Sequence, residues 1–517
     1  MNNMTRTKAA IMNSSVATIA QVVSLILNFA SRTFFIRILG EQFLGLNGLF
    51  VNLLNILAFS ELGIGSAITF ALYRPLASQN ISQIKALMGL YRKAFHIIAI
   101  MIVVGGVIIM PFLPNMIAGN SDVGNVFIAF ALYLCNSALS YLWSYKRSIF
   151  IASQLGYINT LNQMVFNVLM QILQVLFLFL TPSYYIYLCI QITFTILSNF
   201  QISRLANKKF PYLMDKNIDK VDSKVLSYLK KNIIGMISSK IGGVVVFGTD
   251  NVIISAFIGL AAVGKYSNYT LVLNGVNAVI GQLVNAITPS IGNFKIEKSK
   301  REQLELFYKY TQVNAYIVFS ISLMLAMLFP SFIQLWIGAK YELGYFLTML
   351  IVLGFFISGL RNSNLNFMNA YGTFWEMRYK SLWEAGTNLI LSLLLIKFTS
   401  LGIGSVVLGT IGANLLVNAW WEPFIVLKNG IGASEKKYIG LYINILITGS
   451  VLIVLSQKIG DYLVQFNFFL SVIVAAIIAI LVMLFYHCVL TFFYPKNYEP
   501  LKIKKVFRML NTFFSKI

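Results

Sequence analysis

Long apolar runs dominate this sequence and determine the solvent in which the chain must fold. Of 517 residues, 58% are hydrophobic and only 11% are charged, whereas charged residues make up about a quarter of a typical soluble domain. A helix needs about 20 consecutive apolar residues to cross a bilayer. Runs of that length recur along the chain, so we predict an all-α, polytopic membrane protein with about fourteen transmembrane helices. The predicted segments are 12–38, 44–72, 90–113, 124–145, 157–180, 184–203, 232–258, 266–293, 310–334, 343–370, 379–397, 401–427, 438–457 and 466–494.

The basic residues are distributed unevenly between the two sides of these segments. The net charge is +23, and 32 of the 40 Lys and Arg residues fall on the side of the N-terminus. Four fall on the opposite side and four lie within the segments. Cytoplasmic loops of membrane proteins carry this excess, so we predict that both termini are cytoplasmic and that the number of spans is even. Topology accounts for the basicity, and a nucleic-acid partner need not be invoked.

An internal repeat relates the two halves of the chain. The first and seventh segments enter from the same side, so the repeat is parallel, as in transporters built from two like halves. Chance recurrence of Gly and Pro at helix ends is the alternative explanation. A shift of 219 residues without gaps carries Gly40 onto Gly259, Gly45 onto Gly264, Asn55 onto Asn274, Ala67 onto Ala286, Tyr91 onto Tyr310 and Pro111 onto Pro330.

The repeat and the loop lengths predict an organisation in five parts. Residues 1–206 form an N-terminal six-helix lobe, 207–231 a basic cytoplasmic connector and 232–430 a C-terminal six-helix lobe. Residues 431–494 hold two appended helices, the thirteenth and fourteenth. Residues 495–517 form a basic amphipathic tail, whose apolar face suits the anionic cytoplasmic leaflet.

Of the four cations inside the predicted spans, Arg37 lies at the outer end of the first, where its side chain can snorkel to the headgroups. The other three are Arg32, Lys240 and Arg361. A cation at the bilayer centre costs about 2.5 to 3.5 kcal/mol on insertion scales, so such residues usually face a protein-lined cavity. An anion is the natural ligand of such a cavity, and we predict that all three bind substrate. For Lys240, snorkelling of the long side chain to the inner interface is the alternative.

Amide side chains accompany these cations. Asn28 and Arg32 lie on one face of the first span, Asn55 lies in the second, and Asn364 and Asn366 follow Arg361 in the tenth. Lipid cannot satisfy such groups, so they face protein, water or a polar ligand. We predict that these amides bind substrate, and hydrogen bonding between helices is the alternative.

Two acidic residues are candidates for ion coupling or gating. Glu61 in the second span could exchange a proton, bind Na⁺ or pair with Arg32. Asp250 in the seventh span could form an ion pair with Arg32, either static or broken when an anion arrives. Glu384, Glu376 and Glu422 lie near the cytoplasmic ends of spans 11 and 12 and are weaker gate candidates. No metal or cofactor site and no nucleophile–base constellation is indicated, so we predict that the chain is not an enzyme.

The segment RTFFIRILGEQFLGLNGLFVNLLNILAFSELGIGSAI and its shifted counterpart resemble the Wzx-type oligosaccharide flippases of the multidrug/oligosaccharidyl-lipid/polysaccharide exporter superfamily. The resemblance implies two six-helix lobes around a cavity that opens alternately to each side of a bacterial cell membrane. It implies undecaprenyl-pyrophosphate-linked oligosaccharide as the substrate, with Arg32 and Arg361 at cationic cavity positions. A polysaccharide polymerase and glycosyltransferases are then possible partners, beside membrane lipids.

Three other functions remain open from the sequence. A cation-coupled multidrug exporter of the same superfamily should have an acidic cavity and usually twelve spans. A lipid II flippase would share the fold and differ in the glycan. A membrane polysaccharide polymerase would need a sizeable external loop with catalytic residues, and the external connections here are short, roughly ten residues or fewer.

Overall fold

The computed structural model describes residues 6–61, 64–117, 123–215, 221, 226, 248–463 and 466–492, and most of these residues are helical. These residues contain no β-strand. Many of the largest apolar side chains on the helices point outward, for example Phe179 and Phe492, which are 63% and 83% exposed. A helix that satisfies its own backbone and presents apolar side chains outward is the form that lipid tolerates.

Ten helices among the described residues are long and apolar enough to cross a membrane, and a bent helix pair would make eleven. The all-α, polytopic fold class is therefore confirmed. Of the other three predicted segments, the second is interrupted by a 3₁₀ turn over Ala58–Glu61. The seventh lies largely outside the described residues, and the eighth falls within the helix Leu260–Glu297.

The chain divides into two compact units, Met1–Ser267 and Asn268–Ile517. In the first unit α1 packs on α7, α7 packs on α8, and α5 packs between α4 and α8. A further helical stretch covers 248–257. Its helices are α1 (Arg6–Leu39), α2 (Glu41–Leu57), α3 (Ile64–Ala77), α4 (Ile81–Ile109), α5 (Val126–Tyr141), α6 (Arg147–Ala152), α7 (Gly156–Leu180), α8 (Tyr184–Lys209) and the start of α9 (Leu260–Glu297).

The second unit is built around the 38-residue helix α10. The last two helices, α16 and α17, both pack on α10, as does α11. The helices are α10 (Lys300–Ile337), α11 (Tyr345–Leu360), α12 (Asn362–Tyr371), α13 (Phe374–Phe398), α14 (Ile403–Ala413), α15 (Ala419–Phe424), α16 (Lys436–Leu463) and α17 (Phe468–Phe492), with π-helical turns over Asn414–Asn418 and Ile425–Ile431.

Short polar residues begin several of these helices. Asn80 accepts a hydrogen bond from the Gln83 amide at the start of α4. Asn125 accepts from the amides of Phe127 and Ile128 at the start of α5. Ser299 and Glu302 form a reciprocal capping box at the start of α10. The caps satisfy amides that have no partner within the helix, and so mark where each helix begins.

Two glycine-led helix starts cross in the first unit at positions that the repeat relates. Gly40 and Gly259 have φ angles of 89° and 121°, and α2 and α9 begin at the residues that follow them. A Cβ on Gly45 would lie 1.8 Å from the Leu260 carbonyl oxygen, and one on Gly264 would lie 2.3 Å from that of Glu41. The 219-residue shift exchanges these two contacts, so the backbone obeys the predicted repeat here.

The predicted domain boundaries stay predictions. The boundary between the two compact units falls after Ser267, within the sequence of α9. Most of the predicted connector 207–231 and all of the predicted tail 495–517 lie outside the described residues.

Candidate functional site

A polar cavity lies among the helices of the first unit. Its volume is about 640 Å³, and small-molecule sites usually occupy about 300 to 1,000 Å³. Helices α3 to α7 line it with aromatic rings, hydroxyls and amides, among them Tyr73, Ser140, Asn159 and Gln163. Such a lining can hold a ligand that presents both hydrogen-bonding groups and flat apolar faces.

The guanidinium of Arg147 reaches this cavity from a bend between two helices. Helix α5 ends at Tyr141, Trp143 takes a left-handed φ of 61°, and α6 begins at Arg147. The axes on either side of the break differ by 41°. Arg147 therefore lies in the first turn of a new helix, with its side chain among the lining residues.

Neutral groups hold the Arg147 guanidinium in place. Nη1 donates to Asn159 Oδ1 at 2.7 Å, and Nη2 donates to Ser198 Oγ and to Asn199 Oδ1, both at 2.9 Å. Nε also donates to Asn199 Oδ1, at 3.3 Å. Among the residues that the structure describes, no carboxylate bonds to Arg147. Four of the five N–H donors of an arginine are thus used, the positive charge is not neutralised, and one Nη1 hydrogen is left for a ligand.

A carboxylate and an aromatic wall complete the cavity. Glu61 Oε2 accepts a hydrogen bond of 2.6 Å from the Tyr141 hydroxyl. The rings of Tyr91 and Phe95 lie 4.4 Å apart edge to face, and Phe95 contacts Tyr141 at 5.4 Å. A Cβ on Gly65 would lie 2.7 Å from the Tyr91 hydroxyl, so a side chain there would displace the ring. One cation, one anion and an apolar face therefore line the same cavity.

A second group of charged residues is buried in the second unit and forms a closed ring. Arg361 pairs with Glu384 at 2.9 Å and with Glu422 at 2.6 Å, while Lys380 pairs with Glu384 at 2.8 Å and with Glu422 at 2.9 Å. The exposed fractions of these side chains are 13% for Arg361, 11% for Glu384, 2% for Lys380 and 0% for Glu422. Each charge has two opposite partners, so this charge ring carries no net charge.

Irregular helix geometry accompanies the charge ring. The break between α11 and α12 falls at Arg361. Asn414 and Asn418 bound a π-helical turn; Asn414 Oδ1 accepts from Arg361 Nη1 at 2.7 Å, and Asn418 Nδ2 donates to Glu384 Oε1 at 2.8 Å. π-Helical turns often occur at functional sites, and here the turn directs two amides towards the charges.

Arg32 and Asn28, predicted to bind substrate, lie on α1 and have protein partners. Arg32 Nη2 donates to Ser267 Oγ at 2.5 Å. Asn28 Oδ1 accepts from Gln171 Nε2 at 3.1 Å. Neither residue lines the cavity of the first unit.

The remaining predicted site residues are dispersed. Asn55 is exposed on α2, and one carboxylate oxygen of Asp250 is buried without a hydrogen-bond partner among the described residues. Asn364 Oδ1 accepts from the Tyr438 hydroxyl at 3.3 Å, and Asn366 Nδ2 donates to the Tyr310 hydroxyl at 2.7 Å. Lys240 lies outside the described residues. Among the predicted site residues that the structure describes, Glu61 alone lines the cavity, while Arg361 and the weaker gate candidates Glu384 and Glu422 belong to the charge ring.

Arg147 and Lys380 are not among the predicted site residues. Arg147 follows the fourth predicted span and Lys380 is the second residue of the eleventh, so the sequence groups both with the cytoplasmic basic residues. The repeat held a signal for Arg147, since the 219-residue shift carries it onto Asn366 and carries Tyr91 onto Tyr310. For Lys380, the signal was its spacing of four residues from Glu384, which puts both on one helix face.

Comparisons with known proteins find structural similarity without sequence similarity. No family model and no curated protein sequence matches the chain. An inward-facing multidrug resistance MATE family transporter of the MOP superfamily aligns with 87% of this chain and 99% of its own, at 13% identity and a TM-score of 0.60. The lipid II flippase MurJ, in an inward closed conformation, aligns with 91% of this chain and 97% of its own, at 15% identity and a TM-score of 0.62.

A mutant form of the MATE transporter VcmN from Vibrio cholerae aligns with 80% of this chain and 97% of its own, at 16% identity and a TM-score of 0.53. At these identities the comparisons establish that the chain has the fold of MOP superfamily transporters. The activity must be argued from the residues.

Proposed function

We propose that the protein is a flippase that moves undecaprenyl-pyrophosphate-linked oligosaccharide repeat units from the cytoplasmic to the outer face of a bacterial cell membrane. It would act by alternating access in the synthesis of capsule, exopolysaccharide or O-antigen. The observation that carries the proposal is the polar cavity of the first unit, where an unneutralised guanidinium faces hydroxyls, amides and aromatic rings. Sugars need hydrogen bonds and a flat apolar face, and the linkage adds negative charge.

The physical problem of flipping explains this chemistry. A charged, hydroxylated headgroup cannot enter hydrocarbon unaided, because each polar group would lose its hydrogen bonds with water. The cavity supplies replacement partners, while the exposed apolar helix surfaces leave room for the lipid tail outside the protein. An inside-negative potential also favours outward movement of an anion, by about 2.3 kcal/mol per charge per 100 mV.

Other predicted residues enter this proposal as further contacts. Arg32, Arg361, Lys240, Asn28, Asn55, Asn364 and Asn366 are proposed substrate contacts, with Glu61 and Asp250 as ion-coupling or gating residues. For Arg361 to bind an anion, its pairs with Glu384 and Glu422 would have to open, so we propose that this step depends on conformation. Membrane lipids, a polymerase and glycosyltransferases are the proposed partners, with both termini cytoplasmic.

A cation-coupled multidrug exporter is the second candidate, because two of the structures similar to this chain are described as multidrug resistance MATE or MATE transporters. Glu61 gives it one supporting observation, since a carboxylate in the cavity suits a cationic drug. Arg147 in the same cavity weighs against that substrate, because like charges repel.

Transport by purified full-length protein tests the proposal. Proteoliposomes would carry a fluorescent undecaprenyl-pyrophosphate oligosaccharide, and the fraction accessible to a membrane-impermeant glycosidase would be followed over time. We expect transfer well above that of protein-free vesicles, and a strong loss in Arg32→Ala at equal protein abundance. Export of a cationic dye without any movement of the lipid-linked sugar would instead identify the exporter.

A further inference from the structure

We propose that the cavity of the first unit binds an acidic saccharide in one orientation, with the acid group on Arg147 and sugar hydroxyls on Glu61. The inference rests on the proposed function and deepens it, because it names the chemical class of the ligand and the residues that bind that ligand. The acid can be the phosphate of the lipid linkage or a carboxylate on a sugar ring. Both sources share one chemistry, an oxyanion attached to a saccharide.

Arg147 is built to receive an oxyanion. Asn159, Ser198 and Asn199 fix the plane of its guanidinium with four hydrogen bonds, so little side-chain freedom remains to be lost when a ligand binds. All of these acceptors are neutral, which leaves the full charge for the ligand. By contrast, Arg361 in the second unit has two carboxylate partners. Of these two arginines, Arg147 is therefore the one that can attract an anion without breaking an ion pair.

Glu61 supplies the opposite pole of the cavity. Its Oε2 accepts from the Tyr141 hydroxyl, and Oε1 has no hydrogen-bond partner among the described residues. An ionised carboxylate accepts hydrogen bonds and donates none, so its complement is a hydroxyl or ammonium donor. It repels an oxyanion, and so the acid end of a ligand is directed towards Arg147.

The aromatic residues suit the body of a sugar. Tyr73, Tyr91, Phe95 and Tyr141 all contribute to the lining. A pyranose ring has one face of C–H groups that packs against such rings, while its hydroxyls point to the rim. The cavity therefore has an anion-binding group in Arg147, a hydrogen-bond acceptor in Glu61 and an apolar wall. Together these match an acidic saccharide better than they match a free phosphate or a hydrophobic cation.

Direct binding to the detergent-solubilised full chain tests the inference independently of transport. The probes are glucose 1-phosphate, glucuronate and methyl glucoside, measured by isothermal titration calorimetry. A hydrogen-bonded charge pair corresponds to about a 10- to 100-fold gain in affinity, and we expect that ratio for at least one acidic probe over methyl glucoside. The acidic probe that binds more tightly identifies the source of the acid. Equal binding of all three probes would overturn the inference.

Two variants cancel the positive charge of Arg147, one by removing it and the other by neutralising it. Arg147→Gln removes the guanidinium, whereas Asn159→Asp keeps it and places a carboxylate against Nη1 in an almost identical shape. Both should reduce the acid-over-neutral ratio, which is the affinity for the acidic probe divided by that for methyl glucoside, to about 1. If Arg147→Gln fails to fold, Asn159→Asp still tests whether the charge of Arg147 causes the preference for the acidic probe. An unchanged ratio in a folded Asn159→Asp protein would contradict the assignment.

Two further variants complete the design. Glu61→Gln should weaken methyl glucoside binding while leaving the acid-over-neutral ratio at or above that of the wild type, because a repelling charge is gone. Arg204→Gln on α8 removes an arginine that lies over the Phe200 ring and is the matched control, expected to bind like the wild type. Normal binding without transport would refute the proposed function alone, and transport with no acid preference would refute this inference alone.

Discussion

The charge ring of the second unit should make Glu422 the most sensitive acidic residue of that unit. Its side chain is fully buried and accepts ion-paired hydrogen bonds from both Arg361 and Lys380. Glu422→Gln keeps the shape of the side chain but removes its charge. The ring is then left with two cations and one carboxylate, so one positive charge is buried without compensation.

The size of the effect follows from that imbalance. Removing one member of a buried ion pair costs about 3 to 5 kcal/mol, because the remaining charge is desolvated without its partner. The second unit comprises Asn268–Ile517, and for a domain of its size each kcal/mol lowers the melting temperature by about 2 to 4 °C. We therefore expect Glu422→Gln to melt about 6 to 20 °C below the wild type.

A double variant separates charge imbalance from loss of shape. In Lys380→Met/Glu422→Gln one cation and one anion leave together, so Arg361 and Glu384 still balance each other. We expect the double variant to melt well above the single Glu422→Gln variant. The control is Glu305→Gln, because Glu305 pairs with Lys309 one helical turn away on a partly exposed face, and ion pairs near the surface contribute about 0 to 1 kcal/mol.

Thermal unfolding of the purified protein in detergent, at one fixed scan rate, measures all four proteins. The fixed rate matters because unfolding of membrane proteins is often irreversible and the apparent midpoint then depends on the rate. Either of two results would refute this account: Glu422→Gln melting like Glu305→Gln, or the double variant melting no higher than Glu422→Gln.

Three other outcomes follow from the structure. Gly264→Ala should abolish or strongly reduce folded protein, because its Cβ would lie 2.3 Å from a main-chain carbonyl oxygen, whereas Gly281→Ala, with nothing within 4 Å, should be tolerated; size-exclusion profiles compare the two. Asn125→Ala should lower stability by about 1 kcal/mol through loss of the α5 cap, which a thermal melt detects and Asn125→Ser should largely restore. Arg361→Ala should reduce the amount of protein in the membrane, since two buried carboxylates lose their shared partner, whereas Arg32→Ala should leave that amount unchanged; immunoblots of membrane fractions distinguish the two.

The fold was largely predictable because lipid imposes simple rules. Apolar length fixed most helices, and the predicted polytopic helical class is confirmed. Glycine positions predicted the repeat, since Gly40 and Gly259 precede equivalent helix starts with positive φ angles. Local pattern could not locate the break at Glu61, which separates α2 from α3 within one predicted span.

The partners of the buried charges were not predictable from the sequence. Arg361 stood out as a cation within a span, but its carboxylates lie 23 and 61 residues further along the chain. The packing of α12, α13 and α15 determines those pairings, and this packing cannot be derived from the local pattern of a single sequence. Arg147 was hidden for a different reason, because a helix bend carries a residue that follows an apolar run back into the protein.

The crossing of α2 and α9 has a consequence for the origin of the chain. Gly45 meets the first residue of α9, and Gly264 meets the first residue of α2, so the repeat shift converts the contact into itself. Two identical subunits make such self-complementary contacts across a twofold axis. A homodimer of half-length chains, joined after gene duplication, would produce this arrangement. Each glycine leaves room for the main chain at the start of the other helix, so neither can be replaced by a larger residue unless that helix moves. The two halves of the sequence therefore cannot diverge independently at this crossing.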